Sequence, residues 1–264
     1  MMPNMESIGG LTLKRTADEL PMNIASFIGE AQRGTILMTF GTMASTLPVT
    51  VVEKFVSTFR RLEGYRVIWR LNNKDSVELP ENVTIAGRLP QQDILAQLFI
   101  THCGNNGQFE AVYNGVPMIG FPMFGEQLHN ARRLDHKGYG LSMDLYHFTA
   151  DELLANIRKV MEDTSYNYKE RVANASEIFR SQPQSPVETA TFWIEHVCRF
   201  GGDLRSAGND FPLYSYLMLD VLAFILITLF SIFYLLFKLV KFLFSECRGQ
   251  RKQPVEVIKS KKIK

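Results

Sequence analysis

The residues best suited to chemistry form a short run, His102-Cys103-Gly104-Asn105-Asn106-Gly107, with Glu110 shortly after. The run follows an apolar stretch rich in β-branched and aromatic residues at 98–101 and precedes a helical pattern, so it reads as a strand-to-helix turn. Backbone N–H groups at such a turn, with the positive end of the helix behind them, suit an anion. A histidine at the strand end adds a hydrogen bond or a charge. A second small-residue turn, Gly41-Thr42-Met43-Ala44-Ser45-Thr46, follows the apolar run at 35–40. Alone it reads equally well as a phosphate loop or a plain connection; facing the first turn, it would complete a diphosphate site.

Those turns need a scaffold. Apolar runs too short for helices recur at 35–40, 66–71, 83–86, 98–101 and 117–121. Helical periodicity fills the gaps, first with Val51, Val52, Phe55, Val56, Phe59 and Leu62 after Pro48, then at about 105–114, 126–137, 151–162 and 167–180. Strand alternating with helix predicts an α/β fold with a parallel sheet covered on both faces, here over residues 1–200. In such sheets ligands bind outside the carboxyl ends of the strands, where both turns fall.

The 264 residues are 46% hydrophobic and 21% charged, a globular balance that excludes collagen-like, low-complexity and disordered readings. Three scattered cysteines, Cys103, Cys198 and Cys247, are too few for a disulfide framework or a four-ligand zinc site. The net charge of +2 hides an asymmetry, because residues 238–264 hold 9 Lys/Arg against Glu246 and Glu256. The body is acidic, and the basic excess sits beside an apolar segment, which argues against nucleic-acid binding.

That segment, residues 213–237, carries Asp220 as its only formal charge and is long enough for a transmembrane helix. Residues 201–212 read as a linker and 238–264 as a basic tail, which the positive-inside rule places in the cytosol with the body lumenal. Asp220, close to Tyr214, Ser215 and Tyr216, is expected at the headgroup interface rather than in a proton relay. The terminal Lys261-Lys262-Ile263-Lys264 resembles a dilysine retrieval signal of the endoplasmic reticulum, and reads otherwise as a basic tail attracted to anionic lipid. Asn82-Val83-Thr84 and Asn174-Ala175-Ser176 fit the N-glycosylation acceptor pattern. Met1–Gly10 has neither a basic n-region nor an apolar stretch, so a lumenal body calls for sequence upstream or an unusual topology.

The run from Phe99 through His102-Cys103-Gly104-Asn105-Asn106-Gly107-Gln108-Phe109-Glu110, then Gly115-Val116-Pro117, Phe121-Pro122 and Glu126-Gln127, resembles the donor-binding signature of the UDP-glycosyltransferases, the family containing the glucuronosyltransferases. Similarity extends from Ile8-Gly9-Gly10-Leu11 through Gly41-Thr42-Met43, Trp69-Arg70 and Leu89-Pro90-Gln91 to the apolar segment and basic tail. The resemblance implies the C-terminal Rossmann-like domain of a GT-B glycosyltransferase. It further implies that Glu110 accepts hydrogen bonds from the ribose, that His102, Gly104, Asn105, Asn106 and Gly107 contact the diphosphate with Gly41 and Thr42, and that Gln91 frames the uracil. Glu126 and Gln127 match the pair that bonds the sugar. No metal or cofactor is implied, UDP-sugar being a co-substrate. Implied partners are UDP-sugar, a lipophilic acceptor, membrane lipid and other transferase chains as a homo- or hetero-oligomer.

Three positions depart from the family pattern. Arg88 stands where a tryptophan usually stacks on uracil, and a guanidinium plane can also stack. Glu126 replaces the commoner aspartate. Gln97 alone connects helix to strand where the family has several residues more, shorter than the usual connection unless the helix unwinds. The family reaction is displacement at the anomeric carbon with inversion, the sugar here expected to be glucuronic acid or glucose. No residue matches the family's base; His129, His136 and His147 have no spacing that supports the role. The chain is therefore expected to be the donor half of a transferase. Alternatives are an inactive form that binds UDP-sugar or pairs with full-length transferases, one half of a split transferase, and a nucleotide site unrelated to sugars.

Overall fold

The computed structural model describes residues 6–14, 18–41, 47–71, 78–87, 91–94, 97–162, 165–201 and 210–250, without the side chains of 243 and 245–250. In chain order the elements are α1 (Met22–Gly29), β1 (Gly34–Thr39), α2 (Val49–Arg60), β2 (Tyr65–Arg70), β3 (Val83–Ile85), α3 (Gln91–Ile94), β4 (Leu98–Thr101), α4 (Asn105–Tyr113), β5 (Met118–Gly120), α5 (Gln127–Lys137), β6 (Gly140–Ser142), α6 (Ala150–Glu162), α7 (Tyr168–Arg180), α8 (Pro186–Phe200), α9 (Leu213–Tyr216) and α10 (Leu219–Gln250). The strands form one sheet in the order β3-β2-β1-β4-β5-β6, every pair parallel. This is the doubly wound α/β fold that the strand–helix alternation predicts. The order reverses between β1 and β4, whose ends Thr39 and Thr101 are paired.

Strands covered on both faces lose the alternation of a half-exposed sheet, and β1 is buried along its whole length. Its Ile36 and Met38 pack on one side with Val52, Phe55 and Phe59 of α2 and Leu153 and Ile157 of α6. Leu37 packs on the other with Ile24, Ile94, Ala111 and Leu134 from α1, α3, α4 and α5. Phe55 anchors the first core, its ring 4.9 Å from that of Phe148 and 5.3 Å from that of Phe121.

Capping explains two helix starts. Thr149 and Glu152 exchange backbone and side-chain bonds (2.9 and 3.2 Å) at the start of α6, and Ser185 and Glu188 do the same (2.7 and 3.3 Å) before α8. Helix α8, absent from the periodicity reading, was legible in that Ser-x-x-Glu spacing with Pro186 at its first turn. Strand β6 was not: at three residues it has no pattern, and Gly140 lies so close to the Met118 carbonyl that no Cβ fits.

The connection at Gln97 keeps β4 in register with β1 and β5. The preceding helix α3 is only four residues long, and three residues separate Ile94 from Leu98, of which 95 and 96 lie outside the described set. Gln97 turns back to β1, where its Oε1 accepts a hydrogen bond from the Thr35 N–H.

Residues 7–199 make one compact unit, and the described residues from Phe200 onward belong to a second. The helix expected over 213–237 is in two pieces, because Met218 adopts φ 55° between α9 and α10. The stretch long and apolar enough to cross a membrane is Leu219–Phe242, 24 residues, or about 36 Å at 1.5 Å per residue. It thus takes in Lys238 and Lys241. Asp220 sits in the first turn of α10, where a carboxylate meets the positive helix end, and accepts a hydrogen bond from the Ser215 hydroxyl at 3.4 Å.

Candidate functional site

Because β1 and β4 are neighbours at the reversal of strand order, the turns that follow them open side by side. Gly41 ends the described part of the first turn with φ 72°, a conformation that favours glycine, and Thr42 lies outside the described residues. The His102 ring stands between the two turns. A Cβ on Gly41 would lie 2.9 Å from its Cε1 and 3.0 Å from its Nε2, and one on Gly104 would collide with Nε2. Two glycines thus make room for one imidazole edge. Burial pushes the His102 pKa below its ordinary 6.5, opposed by the Thr39 backbone and the Glu126 carboxylate, and Nδ1 is buried with no well-formed hydrogen bond. In the ligand-free chain this favours the neutral ring at pH 7.

The turn itself is pinned from behind. Cys103 is fully buried with φ 65°, a costly conformation for a residue with a Cβ. Its carbonyl accepts a 3.0 Å bond from Asn130 Nδ2, the Asn130 carbonyl accepts from Gln108 Nε2 at 3.1 Å, and Arg133 donates to Gln108 Oε1 and Asn105 Oδ1 at 3.0 and 3.2 Å. These α4–α5 contacts fix the start of α4. Its first backbone bond runs from Gln108 N–H to the Gly104 carbonyl, so the N–H groups of Asn105, Asn106 and Gly107 precede the ladder and are donors for an anion. Burial pushes the Cys103 thiol up to about 12, which makes it a packing group rather than a nucleophile.

Glu110, half-buried on α4, accepts a 2.7 Å bond from Gln91 Nε2 and a 3.5 Å bond from the Thr12 hydroxyl. Two residues expected to hold the nucleoside thus meet; Arg88, the third, lies outside the described residues. The N-terminal segment packs beside them. Gln92 bonds Thr12 and Lys14 along their backbones, each at 2.9 Å, and Gly9 sits so close to the Phe109 ring that a Cβ would clash. Burial raises the Glu110 pKa, and hydrogen bonds from Gln92, Thr12 and Gln91 with the charge of Lys14 work against the rise.

Glu126 and Gln127 open α5, on the loop after β5. The Glu126 carboxylate is exposed and caps no backbone group. Gln127 is buried, and its Oε1 accepts from the Met123 and Phe124 N–H groups at 2.9 and 3.3 Å. Its oxygen therefore holds the loop, and its amide nitrogen is the end left for a ligand.

The family model described as "UDP-glucoronosyl and UDP-glucosyl transferase" matches residues 1–254. The chain belongs to this family. It is 38% identical over 236 residues to UDP-glucosyltransferase 2 of Dactylopius coccus, covering 86% of the chain and 45% of that protein. To UDP-glucuronosyltransferase 1A6 of Homo sapiens it is 31% identical, covering 99% of the chain and 50% of that protein. The chain spans about half the length of the curated relatives it matches. Among solved structures, Os79 from O. sativa in complex with UDP superposes with a TM-score of 0.58 at 21% identity over 69% of the chain and 44% of its own. The glycosyltransferase of kitacinnamycin gives 0.57 at 25%, over 63% of the chain and 43% of its own. The fold is that of a GT-B glycosyltransferase domain.

Three other histidines of this UDP-glycosyltransferase chain are exposed. His129 and His136 are exposed on α5. His147 pairs with Asp144 at 3.0 Å in an exposed turn, where the Tyr146 and His147 backbone N–H groups hold the Asp144 carboxyl below its usual range. That arrangement is an Asx turn. Sequence reading missed Gln108, Asn130 and Arg133, since a polar residue on a helix gives no sign that it faces a buried carbonyl.

Proposed function

We propose that the chain is the donor-binding half of a membrane-anchored UDP-glycosyltransferase that moves glucuronic acid or glucose to a lipophilic acceptor with inversion. The observation that carries this reading is the His102 imidazole held between Gly41 and Gly104 at the switch point of the sheet, beside the free N–H groups that open α4. Diphosphate binding there uses His102, Asn105, Asn106 and Gly107, together with Gly41 and Thr42. Glu110 receives the ribose hydroxyls, Gln91 and Arg88 flank the uracil, and Glu126 with the Gln127 amide meets the sugar.

The chemistry follows from charge. As the acceptor oxygen attacks the anomeric carbon, the bond to the β-phosphate breaks and its electrons pass to the leaving UDP. Donors fixed in advance stabilise that growing negative charge more than they stabilise the ground state. A diphosphate against His102 also raises the ring's pKa, so the histidine gains a proton and becomes a cationic donor when the leaving group needs one. The acceptor's base is assigned to no residue of this stretch. The apolar α10 anchors the enzyme in a membrane, body lumenal and tail cytosolic, a reading supported by the basic flank after the span, and the terminal Lys261-Lys262-Ile263-Lys264 supports the endoplasmic reticulum.

The test is calorimetric titration of UDP into the full chain in lipid nanodiscs, with Gly104→Ala as the comparison. Binding by wild type that the alanine abolishes, with thermal unfolding unchanged, supports the site. A folded wild type that binds no UDP overturns it.

A further inference from the structure

We propose that Asn174, and not Asn82, is the position at which this chain carries an N-linked glycan; the proposal rests on the lumenal body proposed above. Both residues head an Asn-x-Ser/Thr tripeptide. In the linkage step, asparagine Nδ2 attacks the anomeric carbon of a lipid-linked oligosaccharyl diphosphate. The carbon–oxygen bond to the diphosphate breaks and its electrons leave with the phosphate, and one Nδ2 proton passes to the transferring enzyme. The product has one N–H where the free amide has two.

Asn82 needs both. Its Nδ2 donates to the Phe59 carbonyl at 2.8 Å, which also accepts from the Leu62 N–H at 3.0 Å, and to the Leu62 carbonyl at 3.1 Å just beyond the C-terminal end of α2. Its backbone is equally committed, the Asn82 carbonyl accepting from Val67 at 2.8 Å as the chain enters β3. A sugar on Nδ2 would replace one of these hydrogens and stand where a carbonyl now sits. A chain modified there loses the cap and the entry to an edge strand.

Asn174 has the opposite surroundings. Val172 and Ser176 mark the inner face of α7, and a residue two positions from each lies about 200° around the helix, on the outside. Asn174 is exposed, and among the described residues its side chain makes no hydrogen bond. Ser176, the hydroxyl of the tripeptide, donates to the Tyr113 carbonyl at 2.5 Å in the folded chain. Transfer must therefore precede the packing of α7 on α4, after which the fold has only to accommodate the product. At Asn174 it does.

The experiment expresses the full chain in eukaryotic cells and reads the gel shift on glycosidase treatment of the membrane-extracted, folded protein. Wild type is expected to shift by one glycan, Asn174→Gln to lose that shift, and Thr84→Val, which removes the other tripeptide while keeping the Asn82 cap, to leave it unchanged. A shift that persists in Asn174→Gln and disappears in Thr84→Val overturns the proposal, as do two glycans on wild type. His147→Asn, which places an acceptor ahead of Phe148 and Thr149 in an exposed turn, separates the remaining cases. If it is modified and the wild type is not, the body is lumenal and Asn174 is not a site. If neither is modified, the lumenal reading falls and the proposal with it.

Discussion

The two acidic positions of the proposed donor site are built in opposite ways. Glu110 is half-buried, bonded by Gln91 and Thr12, and backed by the N-terminal segment through Gln92. Glu126 is exposed at the start of α5 with no side-chain cap, and only its neighbour Gln127 is held in place. In the proposed site the nucleoside end is thus organised by its own hydrogen bonds, whereas the exposed Glu126 carboxylate at the sugar end would lose side-chain entropy on binding. Substitutions at the two ends should therefore differ in size and in which ligand reports them.

The largest expected effect is at Glu110. Replacing it with alanine removes charge-assisted hydrogen bonds worth about 1.5–3 kcal/mol, so UDP should bind about 10–100-fold more weakly by calorimetry. Glu110→Gln sharpens the point through stability. A folded pKa raised by burial means the stability is present below the unfolded value and lost as pH rises through the folded one, so at pH 7 the carboxylate opposes folding. The glutamine variant should bind UDP less well yet melt higher. Equal binding by wild type and Glu110→Ala would break the comparison outright.

Next in size is Asn130→Ala, which leaves the Cys103 carbonyl buried without its partner. The expected cost is about 1–3 kcal/mol of unfolding free energy, read by thermal melting, with UDP affinity falling as the turn loosens. A variant as stable as wild type would show that the strained turn holds itself.

Glu126→Ala should leave UDP affinity untouched and weaken UDP-glucose or UDP-glucuronic acid by about 1 kcal/mol or less, the scale of one exposed contact. A loss of UDP binding there would place Glu126 on the nucleoside side. The smallest effect is that of pH. Burial lowers the His102 pKa in the free chain and a bound diphosphate raises it, so binding takes up a proton. UDP-glucose affinity should fall by less than about tenfold from roughly pH 6 to 8, and His102→Gln should flatten the curve. The sugar nucleotide is the better probe, since the terminal phosphate of UDP itself titrates near pH 6.

Much of this was readable in the sequence. Short β-branched runs between helical periods gave five of the six strands to within two residues, and the turn after Thr101 announced itself through His102, Gly104 and Glu110. Helix α8 was missed although its Ser185-x-x-Glu188 spacing was there to read, and two other misses share one cause. Strand β6 and the helix break at Met218 are too short to have a period, and Gly140 is fixed by the Met118 carbonyl across the sheet, not by its neighbours in the chain. Gln97 looked like a connection too short to work; its amide bonded to Thr35 at the start of β1, a contact no local pattern predicts.

Residue order by itself determined the α/β alternation, the apolar span and the small-residue turns after β1 and β4, because each is written in near-neighbour spacing and in the fixed periods of helix and strand. The tertiary structure alone decided that Gly41 and Gly104 close on one imidazole, that Glu110 meets Gln91, and that Asn130 secures the Cys103 turn. Those contacts depend on which strand lies beside which and on what is left buried between them, and burial is a property of the packed chain.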